Sequence, residues 1–252
     1  MNTVAVIGGG AAGLMASYSA AARGAKVFLH ERNHNLGRKI LISGKGRCNL
    51  TNAKDLQDFI SNVPDNGKFL YSAWGQFSNN DLIHFFEGYG VKTKVERGGR
   101  VFPVSDKSQD IVDALKKAAI SVGVEIIQKS RVKKLLIKGS GIQGIVDDAG
   151  NNYYCDKIIV ATGGLSYPAT GSTGDGYNLA RQAGHSVTTL SPSLVPLISD
   201  SKWIKDLQGL TLKNVVATLY IGERKISKVF GEMIFTHYGI SGPIILTLSR
   251  DA

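Results

Sequence analysis

The sequence predicts an α/β fold of three layers with a β-meander, followed by part of a further, β-rich domain. Three observations lead there. Buried-strand patterns at 3–7, 25–31, 124–128 and 157–164 are separated by helical patterns, the alternation that produces a parallel sheet. The first strand runs directly into Gly8-Gly-Gly-Ala-Ala-Gly13 and an alanine-rich helix. Residues 131–138, 141–147 and 152–156 read as short strands joined by glycine-rich or Asp-Ala-Gly-Asn turns, a small antiparallel meander.

The glycine run organises the rest. Gly8, Gly10 and Gly13 make a G-x-G-x-x-G between strand and helix. In a Rossmann-like dinucleotide-binding turn the first glycine permits the tight bend, the second lets the backbone approach a pyrophosphate, and the third lets helix and strand pack closely. The first helical N–H groups, around Ala11 and Ala12, then face the diphosphate, and the helix dipole favours its charge. The second strand closes at Glu31, where a carboxylate accepts both hydrogen bonds from an adenosine ribose. That predicts an unphosphorylated ribose, as in FAD or NAD, while Arg32 beside it leaves NADP open. A plain structural turn is the rival reading of the glycines alone; here strand, turn, helix, second strand and acid stand in order.

The chain has 252 residues and 43% hydrophobic content, enough to bury a sizeable core in one large or two modest domains. The predicted division is 1–190 for the FAD/NAD(P)-type domain and 191–252 for a second unit, which the family resemblance described below implies is the beginning of an inserted substrate domain. No apolar run approaches the roughly 18 residues of a membrane span, so no membrane partner is expected. No Lys or Arg precedes the apolar N-terminal stretch, which argues against a signal peptide. Cys48 and Cys155 make no disulfide framework and suit a reducing cytoplasm, and no metal site is expected. The 30 basic against 20 acidic residues give a formal charge of +10, which raises a polyanionic partner; a cofactor's phosphates and ordinary solubility are the alternative explanation.

After Glu31, residues 32–52 form a loop dense in glycine, cations and amides, too long for an ordinary connection. Arg38, Lys39, Lys45 and Arg47 offer charge to phosphates, and Gly44 and Gly46 let backbone amides approach a ligand; a solvated charge run is the alternative. Residues 55–90 look helical, with Phe59, Phe69, Leu70, Trp74, Phe77, Leu82, Phe85 and Phe86 expected in the core. Two strands at 91–95 and 100–104 make a hairpin. Ser108 is expected to cap a helix whose Ile111, Val112, Leu115, Ala119 and Val122 share a face, ending at Gly123. A second G-x-G-x-x-G at 139–144 lies between strand patterns and reads as a turn. The strand from Lys157 ends in the small residues Ala161, Thr162, Gly163 and Gly164, followed by turn formers, a helix over 177–183, strands around 195–198 and 215–221, and a final apolar helix.

Together these segments resemble the BaiN/RdsA (YhiN-like) family of FAD-dependent oxidoreductases. The matching stretches are Val6 to Gly13, Gly37 to Asn52, Ala161 to Pro168, Gly171 to Gly176 and Thr236 to Pro243, nearly end to end. The first is common to many flavoproteins; the second and last are much more specific. The resemblance implies FAD along the first glycine loop with Glu31 on the ribose. It places Arg38, Lys39, Arg47 and Asn49 on the phosphate and flavin side, Val132 against adenine through its backbone, and Ala161 to Gly163 beside the cofactor. It also implies NAD(P)H as transient reductant and hydride delivery to an electron-poor double bond, in a steroid-like enone or in a uridine of ribosomal RNA. The positive charge favours the RNA, because neutralising phosphates drives such binding. Family members are longer, returning to the flavin with a final strand and helix. The chain is therefore expected to be a fragment or truncated product that holds FAD weakly or not at all.

No side chain declares itself as proton donor. Cys48 in its cationic loop is a candidate with a depressed pKa, or a small packing residue, the reading favoured here. His237 is a candidate general acid, though a histidine bonded to nearby backbone is the plainer reading. An NAD-dependent dehydrogenase and a non-catalytic binding module with a basic surface are the rivals from other classes.

Overall fold

The computed structural model describes residues 2–63, 66–139 and 141–252. It divides into two compact units, Met1–Val187 and Thr188–Ala252. The division falls three residues before the expected one.

In the first unit β1 (Thr3–Ile7) enters α1 (Ala11–Ala21), and β2 (Lys26–Glu31) leads through a long loop to α2 (Arg38–Ile42) and β3 (Thr51–Asn52). Then come α3 (Leu56–Ser61), α4 (Tyr71–Gln76), α5 (Asn79–Gly88), the hairpin β4 (Thr93–Glu96) and β5 (Arg100–Pro103), and α6 (Ser108–Ser121). β6 (Glu125–Gln128) precedes the meander β7 (Val132–Lys138), β8 (Gly141–Asp147) and β9 (Asn152–Tyr154), after which β10 (Lys157–Val160) and α7 (Asp175–Gln182) complete the unit.

The central sheet is parallel, in the order β10-β1-β2-β6. Side chains alternate across a strand, so a strand between two layers must be apolar on both faces. In β1 the even positions Val4 and Val6 join Leu14, Val27, Leu29, Ile111 and Leu115 on the helical side. The odd positions Ala5 and Ile7 join Val132, Ile145, Cys155 and Leu179 on the meander side. That is the predicted three-layer Rossmann-type fold, with the antiparallel meander β7-β8-β9 as third layer.

Several local expectations are corrected. The stretch 55–90 is helical as expected but comes in separate pieces, α3, α4 and α5, and Pro64 and Asp65 within it lie outside the described residues. One break is explained by a capping box: the Ser78 hydroxyl accepts from the Asp81 N–H while the Asp81 carboxylate accepts from the Ser78 N–H, which starts α5 there. Of the aromatics assigned to the core, Phe86 is buried, whereas Phe69 is 85% exposed and Phe77 is exposed. Ser108 is not a cap; it is buried inside α6 and its hydroxyl donates to the Leu41 carbonyl at 3.0 Å, pinning α6 to the end of α2. The second glycine motif opens β8 and no helix follows it, although its Ser140 lies outside the described residues.

The second unit contains β11 (Leu197–Ile198), β12 (Thr211–Ile221), β13 (Arg224–Thr236), β14 (Gly239–Ser241) and α8 (Pro243–Leu248). Its sheet is antiparallel, in the order β11-β14-β13-β12. Ile244, Ile245 and Leu248 of α8 cover Val215, Ala217, Leu219, Val229 and Met233 on one face. Among the described residues no helix is long and apolar enough to cross a membrane.

Candidate functional site

A cleft of about 650 Å³ opens at the carboxyl ends of β1 and β2, lined also by the segment that follows β10, within the first unit. That is where open α/β sheets place ligands, and the volume suits a cofactor-sized molecule. The glycine motif divides its labour. A Cβ on Gly8, whose φ is +109°, would lie 2.5 Å from the Ala161 carbonyl oxygen, and one on Gly13 would collide with the Gly8 carbonyl. These two are glycines because the protein is close. A Cβ on Gly10 would meet no protein atom within 4 Å, and Gly10 lines the cleft, so its missing side chain leaves room for a ligand. Gly10 caps α1 without a side-chain acceptor, and no acidic residue stands in the first turn. The early N–H groups of α1, with Ala11 and Ala12 on the lining, therefore face the cleft unneutralised, as an anion site requires.

Glu31 is buried at the end of β2. Its Oε2 accepts the Gly9 N–H at 2.7 Å, and its Oε1 accepts the N–H and side-chain amide of Asn33 at 2.8 and 2.7 Å. A carboxylate offers about four lone-pair directions, so three are engaged and about one remains. The expectation of two free acceptors for a ribose is corrected to one open direction, with Asn33 in the place of the second. The same Asn33 accepts from Arg38 Nη1 at 2.8 Å, which draws Arg38 to the lining.

Lys39 also lines the cleft and reaches across it, donating to the Ser166 carbonyl at 2.8 Å. Arg32, Asn49, Val132, Ala161, Thr162 and Gly163 stand on the lining as well. Others of the expected residues do not: Gly13 lies behind the turn, and Gly44, Lys45, Gly46 and Arg47 fall outside the lining. The Arg47 guanidinium instead meets Glu96 at 2.8 Å and Asp106 at 3.3 Å, and lies 4.1 Å above the Phe102 ring. Its carboxylate partner Glu96 raises its pKa further. Arg47→Ala is expected to lower the unfolding temperature by loosening the β4–β5 hairpin, with cofactor affinity within about threefold of wild type, since a cation committed elsewhere adds little to a ligand site; thermal melts beside a cofactor titration check this.

Other lining residues were given no role in the sequence. Ser130, Arg131, Thr170, Gly171, Ser172 and Asp175 come from the segment before β7 and the segment leading into α7, far apart in the chain. Met15, Ile40, Leu82, Phe86, Ile111 and Leu115 form an apolar arm; their helical periodicity was legible only as core. Cys48 lines the cleft but is buried, and burial pushes its thiol pKa up against a weaker lowering by Ser43. The direction set by burial runs against the less favoured of the two readings of Cys48, a thiol depressed by nearby cations. His237 is exposed, with its ring edge-on to Tyr238 at 4.6 Å and no hydrogen bond among the described residues.

One buried group went unnoticed in the sequence. His30, on β2, is 1% exposed; its Nδ1 lies 2.9 Å from the Ser130 hydroxyl, its ring edge-on to Tyr153, and its Nε2 has no hydrogen-bond partner among the described residues. Burial lowers its pKa to about 4, partly opposed by Asp147.

With glycines spaced for close approach, bare helix amides and an acid across from them, the first unit is a Rossmann-type dinucleotide-binding domain, and its residues fit a diphosphate flanked by an adenosine. The motif resemblance points to one family within that class. The chain belongs to it: the model described as HI0933-like protein Rossmann domain matches residues 2–242. The chain is 35% identical to a 3-dehydro-bile acid delta(4,6)-reductase of Clostridium scindens, over 99% of this chain and 60% of that protein. It is 33% identical to a ribosomal RNA dihydrouridine synthase of Escherichia coli, over 97% of this chain and 59% of that protein. The chain thus spans about three fifths of the length of these curated relatives. An open-conformation flavocytochrome c3 fumarate reductase shares the fold, with a TM-score of 0.61 and 22% identity over 84% of this chain and 47% of that one. The family is one of FAD-dependent oxidoreductases.

Proposed function

We propose that this chain carries the FAD-holding part of a reductase that moves hydride from NAD(P)H to an electron-poor carbon–carbon double bond, with a uridine of ribosomal RNA as acceptor. The observation that carries the cofactor reading is Gly10: a helix start with bare N–H groups and open space where a side chain would be. FAD, when bound, supplies the two-electron relay between reductant and acceptor. The chain's own residues bind and orient. The α1 amides hold the diphosphate, Glu31 accepts a ribose hydroxyl on its open direction, and Arg38 and Lys39 add positive charge. The apolar arm lined by Met15, Leu82 and Phe86 excludes water from part of the cleft.

Two observations support RNA: the net charge of +10 and the dihydrouridine synthase relatives of Escherichia coli and Haemophilus influenzae. A small enone is the second reading, favoured by the slightly higher identity to the bile-acid reductase. Anaerobic reduction of the FAD-loaded chain by NADPH, followed by addition of either acceptor, tests the choice. Faster flavin reoxidation with uridine-containing RNA, diminishing as salt is raised, is the expected result. Reoxidation that responds only to the enone would transfer the assignment to the second reading, and reduced flavin that neither acceptor reoxidises would remove both.

A further inference from the structure

We propose that Tyr167 is the platform on which the acceptor stacks: its ring, held out at the edge of the cleft, selects a flat, conjugated carbonyl ring such as a uracil or a cyclic enone. The inference rests on the reading above, in which the cleft holds FAD and an electron-poor double bond is reduced there, and it names the residue that receives that substrate.

The chain leaves the cleft lining at Gly163 and rejoins it at Thr170, so residues 164–169 stand at its edge. In the middle of that span Tyr167 has φ 53° and ψ 61°, left-handed backbone that glycine adopts freely and a residue with a side chain resists. Pro168 follows, and the residue before a proline is driven towards extended backbone, so the conformation is disfavoured twice. Its neighbours impose it. Lys39 Nζ donates to the Ser166 carbonyl at 2.8 Å, and the Thr170 N–H and hydroxyl both donate to the Tyr167 carbonyl, at 2.9 and 2.7 Å. Further along, Asp175 at the start of α7 is gripped by Arg32 at 3.2 Å and by Arg131, just before β7, at 2.7 Å.

What this strain secures is the position of a ring. Tyr167 is 67% exposed, and among the described residues nothing hydrogen-bonds its hydroxyl or stacks on its ring. Leu165, two residues earlier, is exposed as well. Strained residues that their surroundings over-determine cluster where ligands are clamped. Tyr167 is not on the lining, so its ring meets what arrives from solvent rather than what lies in the cleft. An aromatic face stacks on a planar π system and gains little from a puckered saturated one, which makes flatness the property selected.

The test is anaerobic reoxidation of the NADPH-reduced, FAD-loaded chain against rising concentrations of a uridine-containing RNA and, separately, of a steroid-like enone. With whichever acceptor reoxidises wild type, Tyr167→Gly is expected to raise the half-saturating concentration at least about tenfold, with the limiting rate within about threefold. Tyr167→Phe, which keeps the ring, should recover most of the wild-type affinity. Glycine accepts the left-handed backbone, so the melting temperature of Tyr167→Gly should stand at or above that of wild type. Should Tyr167→Gly not fold, Tyr167→Asn, which also tolerates that backbone, carries the same measurements. A ring that merely packed on the protein would instead lower the melting temperature and leave half-saturation alone. Unchanged half-saturation in a folded Tyr167→Gly or Tyr167→Asn overturns the inference while leaving the flavin reading intact; reduced wild-type flavin that neither acceptor reoxidises overturns both.

Discussion

Gly10→Val is expected to weaken FAD binding by at least about 100-fold while leaving the fold in place, and Gly13→Ala to do the reverse in order of cause, destabilising the fold first. The two glycines lie three residues apart in one motif and differ in what surrounds them. At Gly10 the backbone is extended, with φ −83° and ψ −171°, a conformation valine accepts, and its Cβ would touch no protein atom. The cost to stability is the poorer helix cap, about 1 kcal/mol. The new methyl groups would stand where the diphosphate meets the α1 amides, and a 100-fold loss corresponds to about 2.8 kcal/mol of binding. At Gly13 the added methyl meets the Gly8 carbonyl, and α1 must move off β1 to make room. Overpacking of that kind costs about 1–3 kcal/mol or more. Thermal melts and flavin-fluorescence titrations of both variants separate the roles. If Gly10→Val bound FAD like wild type, the diphosphate could not lie at the start of α1.

Acidification from pH 7.5 to 4.5 is expected to remove about 2.5 kcal/mol of stability through His30 alone. The sign follows from where the proton goes. Its pKa falls from 6.5 in the unfolded chain to about 4 in the fold because burial penalises the charged ring. Between those values the unfolded chain binds the proton and the folded chain does not, so stability declines as pH drops below about 6.5 and the loss is complete below about 4. His30→Phe keeps a ring against Tyr153 and removes the partnerless Nε2. Urea unfolding of wild type and variant across this range isolates the term, since the carboxylates titrate in both. A variant that loses stability with acid as steeply as wild type would show that His30 is already protonated in the fold or solvated in a way its burial denies.

Much of the chain was legible because local rules and global packing agree in it. The β1–α1–β2 unit follows from alternation, glycine spacing and a terminal acid, and each of those is a property of neighbours in sequence. The errors fell where non-local partners decide. Arg47 looked like a phosphate ligand until Glu96 and Asp106 claimed it. Ser108 looked like a cap until the Leu41 carbonyl claimed it.

The sequence by itself determined the dinucleotide-binding class, the parallel sheet and the glycine turn, because periodicity and backbone permissiveness are written residue by residue. Only the tertiary structure decided which cations face the cleft, how much of Glu31 remains free, and that Arg32, Arg131 and Asp175 meet. Those outcomes depend on which charged groups the fold brings within about 3 Å of one another, a distance at which a carboxylate more than forty residues away outweighs any neighbour in the chain.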